Sequence, residues 1–118
     1  MLPKKLVEQV GSLVDPHVIV TTDATGTYSY SLAPYEQIVT VDSTLGVGDI
    51  LLPDVGSCEG LEFSITATVG NTNAVTVKEK ATGNSLDWPG NASLNAALDR
   101  ALYKSDGKRW WLITDQFT

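Results

Sequence analysis

Few side chains in this sequence have the chemistry for catalysis or metal binding, and their spacing limits what they can do. The single histidine, His17, follows Pro16. A catalytic imidazole needs a nucleophile or carboxylate held beside it, and His17 is read here as a surface or packing residue. The single cysteine, Cys58, rules out an intramolecular disulfide and a thiolate metal cluster, so it reads as a spare thiol, buried or half-buried. Asp42, Asp49, Asp54, Glu59 and Glu62 fall in one acidic span. They are dispersed, whereas a metal site requires several convergent ligands, and a solvated rim accounts for them. The "GVGDI" stretch lacks the third glycine of a dinucleotide fingerprint and no helix pattern follows it, which makes it a turn. Asn91 in "NAS" matches a glycosylation acceptor by chance. No catalytic, cofactor-binding or metal-binding set emerges, and the chain is read as non-enzymatic.

The aromatic residues carry more. In "YKSDGKRWWLIT", Trp110 and Trp111 follow Asp106-Gly107. Neighbours in a strand point to opposite faces, so the two tryptophans cannot enter the same core. Asp-Gly predicts a two-residue type I′ hairpin. Its register would pair Tyr103 with Trp110, Leu102 with Trp111 and Ala101 with Leu112. One face then collects Ala101, Tyr103, Trp110 and Leu112; the other collects Leu102, Trp111 and Ile113, with Lys104 and Arg109 near the turn. Both faces are apolar, yet a chain of this size builds one core. Tyr103, Trp110 and Leu112 are therefore expected in the core, and Leu102, Trp111 and Ile113 against another subunit or a folded-back loop.

The elements that must position these residues are strands. At 118 residues the chain is one domain, large enough to bury roughly two thirds of the surface its unfolded form would expose. It is 42% apolar and rich in Val, Thr and Gly, a composition that favours strands and turns. Short runs follow one another, "HVIVTT", "TYSYSL", "QIVTVD", "DILLPDV", "LEFSITATV" and "AVTVKEK", separated by turn residues. In "LEFSITATV", Leu61, Phe63, Ile65 and Ala67 alternate with Glu62, Ser64, Thr66 and Thr68, the pattern of a half-buried strand. The expected fold is all-β, a single-domain β-sandwich or partly open β-barrel spanning residues 16–118. Residues 1–15 read as an N-terminal arm or short helix. Leu6, Val10 and Leu13 have helical spacing, Gly11 interrupts them and Pro16 ends them, so the arm is expected to reach a neighbouring subunit. Leu86, Trp88 and Leu94 make "TGNSLDWPGNASLNAA" too apolar for a linker; a loop folded over the sheet end fits it.

The net charge of −6, with eight basic residues, argues against a nucleic-acid partner. No apolar run approaches the roughly 20 residues of a bilayer-spanning helix, and the N-terminus lacks the features of a secretory signal. No membrane partner is expected, and synthesis in a cytoplasm is.

The succession "ILLPDVGSCEGLEFSITAT", "AVTVKE" and "LYKSDGKRWWLI" resembles a module of tailed-bacteriophage virion proteins, both capsid decoration (cement) proteins and tail-fibre segments. Such modules run as a strand ending in Leu-Pro, a Gly-led strand alternating Ile and Thr, a short Val-Thr-Val strand and a closing Ser-Asp-Gly-x-x-Trp hairpin. The resemblance covers residues 38–114. Leu52-Pro53, Gly60, Asp106-Gly107 and Trp110 match it, Trp111 fills a position of variable type, and Cys58 and "TGNSLDWPGNAS" depart from it. It implies a structural, non-enzymatic β fold that commonly assembles as a homotrimer. The function expected from it is that of a capsid decoration protein, made in the host cytoplasm and located on the virion surface. As a trimer it would bind across subunits of the major capsid protein and stiffen the shell. The chain's shortness favours this over a tail fibre. The alternative is a tail-fibre, baseplate or receptor-binding component whose aromatics contact glycans. A carbohydrate-binding module of an enzyme would explain the tryptophans but not the absence of a catalytic partner.

Overall fold

The computed structural model describes residues 16–68, 73–80, 93–94 and 96–116. The segment 1–15, with Leu6, Val10 and Leu13, and nearly all of the loop at 82–93 lie outside the described residues. The chain is all-β. Its strands are β1 (His17–Thr21), β2 (Tyr28–Ser31), β3 (Ile38–Asp42), β4 (Gly48–Leu52), β5 (Glu62–Ala67), β6 (Val75–Glu79), β7 (Ser93–Leu94), β8 (Arg100–Ser105) and β9 (Trp110–Gln116), with one 3-10 turn at Val55–Ser57.

The strands form two sheets, ordered β1-β3-β5-β8-β9 and β2-β4-β6-β7, and neither closes into a barrel. The first six strands alternate between the sheets. Within each sheet the first three are parallel: β1 with β3, β3 with β5, β2 with β4, and β4 with β6. The chain thus winds through three stacked two-strand coils, as solenoids do, before β7, β8 and β9 pair antiparallel at the far side. Parallel neighbours need a crossover rather than a tight hairpin, and here the strand in the opposite sheet is that crossover.

One core lies between the sheets. Val20, Val39, Val41, Phe63, Ile65, Ala67, Ala101 and Tyr103 enter it from the five-stranded sheet, and Ile50, Leu52, Val75, Val77 and Leu94 from the four-stranded sheet. Strict alternation in β3, β4, β5 and β6 sends every second side chain inward, because the side-chain period of a strand is two. The corner joining the sheets is polar and satisfied. The Thr22 hydroxyl donates to the Gly46 carbonyl at 2.7 Å, the Ser43 hydroxyl donates to the Asn73 carbonyl, and the Asn73 amide returns a bond to the Ser43 carbonyl at 2.7 Å. Thr22 and Ser43 are buried, so these bonds offset the cost of taking hydroxyls out of water. Gly46 lets the first two coils meet there: a Cβ on it would lie 2.3 Å from the Asp23 carbonyl oxygen.

The closing hairpin differs from the two-residue turn expected of Asp-Gly. Ser105 pairs with Trp110, Lys104 with Trp111 and Tyr103 with Leu112, so the loop is four residues, 106–109, closed by the Asp106 amide donating to the Arg109 carbonyl at 3.2 Å. The reason is in Asp106 itself. Its Oδ1 accepts from the amides of Lys108 and Arg109, each at 2.8 Å, so the side chain captures backbone donors that a tighter turn would leave elsewhere. Gly107, at φ +90°, supplies the left-handed residue the loop needs.

Candidate assembly surface

The slip from the expected register is two residues, and an even slip keeps every side chain on its face. Tyr103, Trp110 and Leu112 are buried. Trp110 meets Phe63 edge to face, with ring centroids 5.4 Å apart and planes at 80°, a favoured arrangement for aromatic pairs. Trp111 and Ile113 stand on the outer side of the five-stranded sheet, 43% and 49% exposed, and Leu102 is half-buried on the same side. Ile113 is the extra residue at a register shift opposite Leu102 and Tyr103, a bulge on an edge strand.

Trp111 is exposed but not loose. Its indole N–H donates to Asp106 Oδ2 at 2.8 Å, and the Arg109 guanidinium lies over its ring at 4.5 Å from the centroid, within cation–π range. The Trp111 indole and the two loop amides hold the Asp106 carboxyl down at about 2, because all three bonds favour its charged form. The hairpin thereby fixes the orientation of a large aromatic side chain at the sheet margin.

The rest of the outer face follows from register. One row across the sheet runs His17, Ile38, Ser64, Leu102 and Thr114; the next runs Ile19, Thr40, Thr66 and Arg100. Ile19 is 67% and Ile38 52% exposed. A third row runs Glu62, Lys104 and Trp111, with Lys104 bridging to Glu62 at 3.8 Å. The middle is thus carried by Ser, Thr and Glu62, and apolar side chains gather at the two margins, Ile19 and Ile38 on the β1–β3 side, Leu102, Trp111 and Ile113 on the β8–β9 side. The outer face of the four-stranded sheet is different. Among the described residues it presents Ser29, Ser31, Asp49, Thr76 and Lys78 with one aliphatic, Leu51, and Lys78 bridges to Asp49 at 2.9 Å.

Sequence reasoning singled out Leu102, Trp111 and Ile113 but passed over Ile19 and Ile38. Their signal was present, since Val18 and Val20 inside the alternation of β1 put Ile19 outside. It passed over charge segregation too. Residues 16–77 contain seven Asp or Glu and no Lys or Arg, while residues 100–111 contain four Lys or Arg and one Asp.

The remaining reactive groups are buried or have partners close by. Cys58 is buried, and burial, then the nearby Asp54 charge, pushes its thiol up, away from a nucleophilic thiolate. His17 Nε2 lies 3.0 Å from Thr40 Oγ1 on the sheet surface. The Tyr30 hydroxyl donates to Glu36 at 2.7 Å, and that bond, with burial, pushes it up to about 12. Among the described residues no group of His, Cys, Asp and Glu could hold a metal ion, and no helix is long and apolar enough to cross a membrane. Comparisons with known protein families, curated proteins and solved structures find no match for this chain.

Proposed function

We propose that this protein is a virion structural component: a capsid decoration protein that binds as a homotrimer across subunits of a phage major capsid protein and stabilises the shell. The observation that carries the reading is the contrast between the two outer faces. The five-stranded sheet offers exposed Ile19, Ile38, Trp111 and Ile113, while the four-stranded sheet offers mainly Ser, Thr, Asp and Lys. Exposed apolar residues are ordinary on any protein, and Tyr35, Leu45, Val47 and Leu98 are exposed in the loops; within the strands, however, the large exposed apolar residues gather on the five-stranded sheet, and such a grouping marks a side suited to meeting another surface. The resemblance of residues 38–114 to phage virion modules supplies the kind of surface, and burial of apolar area across subunit boundaries supplies the mechanism, since each added interface raises the work of separating shell subunits.

A second reading, a tail-fibre, baseplate or receptor-binding component, draws support from the stacked coils, a topology that extends readily along one axis. Gold-labelled antibody against this chain, applied to particles purified from the source culture, separates the two. Label over the shell is the expected result, label confined to the tail favours the second reading, and particles free of label contradict both.

A further inference from the structure

The geometry points to a head-to-tail contact between copies of this chain, in which the β8–β9 margin of the five-stranded sheet of one copy docks on the β1–β3 margin of the same sheet in the next. The occupant follows from charge. A chain of net charge −6 repels its copies at a distance, so self-association requires local complementarity, and the sheet is divided in that way. Its β8–β9 side carries Lys104, Lys108 and Arg109, all exposed, around the fixed Trp111. Lys104 pairs with Glu62 of the same face at 3.8 Å and Asp106 holds the indole, so Lys108 and Arg109 supply the positive charge turned towards a neighbour. Among the described residues its β1–β3 side carries no Lys or Arg but has Asp23 and Asp42 at the strand ends. Both carboxyls accept bonds from neighbouring threonines, Asp23 from Thr25 and Asp42 from Thr44, which favour their charged form.

Each margin also has its own apolar pair, Trp111 with Ile113 and Ile19 with Ile38. An apolar centre with a charged rim is the anatomy of protein interfaces. The edge strand β1, "HVIVT", has no charged residue and no proline, the devices by which sheets usually blunt an edge. The two margins are different surfaces of one molecule, so their contact is heterologous, and a heterologous contact closes into a ring when the rotation permits. Three copies are the ring this contact has to close. The inference rests on the proposed homotrimer and is independent of where the trimer sits on a particle.

Two variants test it. Lys108→Glu with Arg109→Glu disables the basic margin while leaving the Lys104–Glu62 pair of the sheet intact, and Ile19→Thr with Ile38→Thr disables the other while keeping β-branched side chains in the strands. Lys108→Glu alone, in the exposed loop, serves if the double variant unfolds by circular dichroism. Sedimentation equilibrium of the wild type is expected to give a trimer whose association weakens at least tenfold between low and 0.5 M salt, an order-of-magnitude expectation for screened charges. Each variant alone is expected to be a monomer, and an equimolar mixture a heterodimer, because the mixture retains one intact margin of each kind. A monomeric wild type would remove the trimeric reading itself. A trimeric wild type whose variants both still form trimers, or whose variants stay monomeric when mixed, would leave the trimer standing and overturn this interface.

Discussion

Trp110 and Trp111 are adjacent, yet one fills the core against Phe63 and the other is held on the surface by Asp106 and Arg109. Their substitutions should therefore separate. Trp110→Ala removes a side chain that is 1% exposed and should cost about 3–5 kcal/mol, as large-to-small changes in cores do. Chemical denaturation should show this at every protein concentration. Trp111→Ala should leave the isolated subunit folded and act on assembly, by about 2 kcal/mol or more if it behaves as an interface hot spot, so its defect should depend on concentration. Asp106 gives a second test. Its pKa in the folded protein is lowered to about 2, from an ordinary value near 3.9. A depressed carboxyl contributes stability that is present above the ordinary value and lost as pH falls through the folded one. The Trp111 indole N–H resonance should accordingly shift with a midpoint near pH 2, and Asp106→Asn should abolish that titration.

At the scale of elements, the sandwich-like pair of sheets was legible in the alternation of runs such as "LEFSITATV", and the face of each residue in β8 and β9 was legible despite the wrong turn, because the slip was even. The parallel order was not. Alternation says which side chains point inward but not which strand lies alongside, and the one strong pairing signal, Asp-Gly, marks an antiparallel hairpin at the end of the chain. A faint, irregular repeat does exist: Val18-x-Val20 followed by Asp23-x-Thr25-Gly26 recurs as Val39-x-Val41 followed by Asp42-x-Thr44-x-Gly46, but its spacing shifts from one copy to the next, whereas the signature of coiled repeats is self-similarity at a fixed period. It ends after two coils, and the third turn is reached by a different sequence, which hides the repeat. The repeat also identifies the tightest joint in the stack. Gly46→Ala places a Cβ against the Asp23 backbone, where no flexible side chain can give way, and should destabilise the domain by about 1–3 kcal/mol, as overpacking does. Thermal unfolding should show the loss as a lowered midpoint, whereas Gly26→Ser, at an open turn position with φ +78°, should cost only about 1 kcal/mol of backbone strain.

For the whole molecule, the decisive feature is polarity between opposite sides. The four-stranded sheet turns a polar face outward, the five-stranded sheet a partly apolar one, and along that second sheet the charge passes from acidic coils to a basic hairpin. No single residue announces this arrangement; it arises because winding the chain through two sheets gathers Ile19, Ile38, Trp111 and Ile113 from distant parts of the sequence onto one side. The reading as an assembling structural protein depends on that side being covered by another copy or by a shell. Sedimentation equilibrium of the purified chain at micromolar concentration tests it most directly. A trimer has three times the 12.6 kDa chain mass, and that mass is expected for the wild type and should fall towards one chain in Trp111→Ala; a wild-type protein that remains a single chain across the concentration range would rule out assembly through this side.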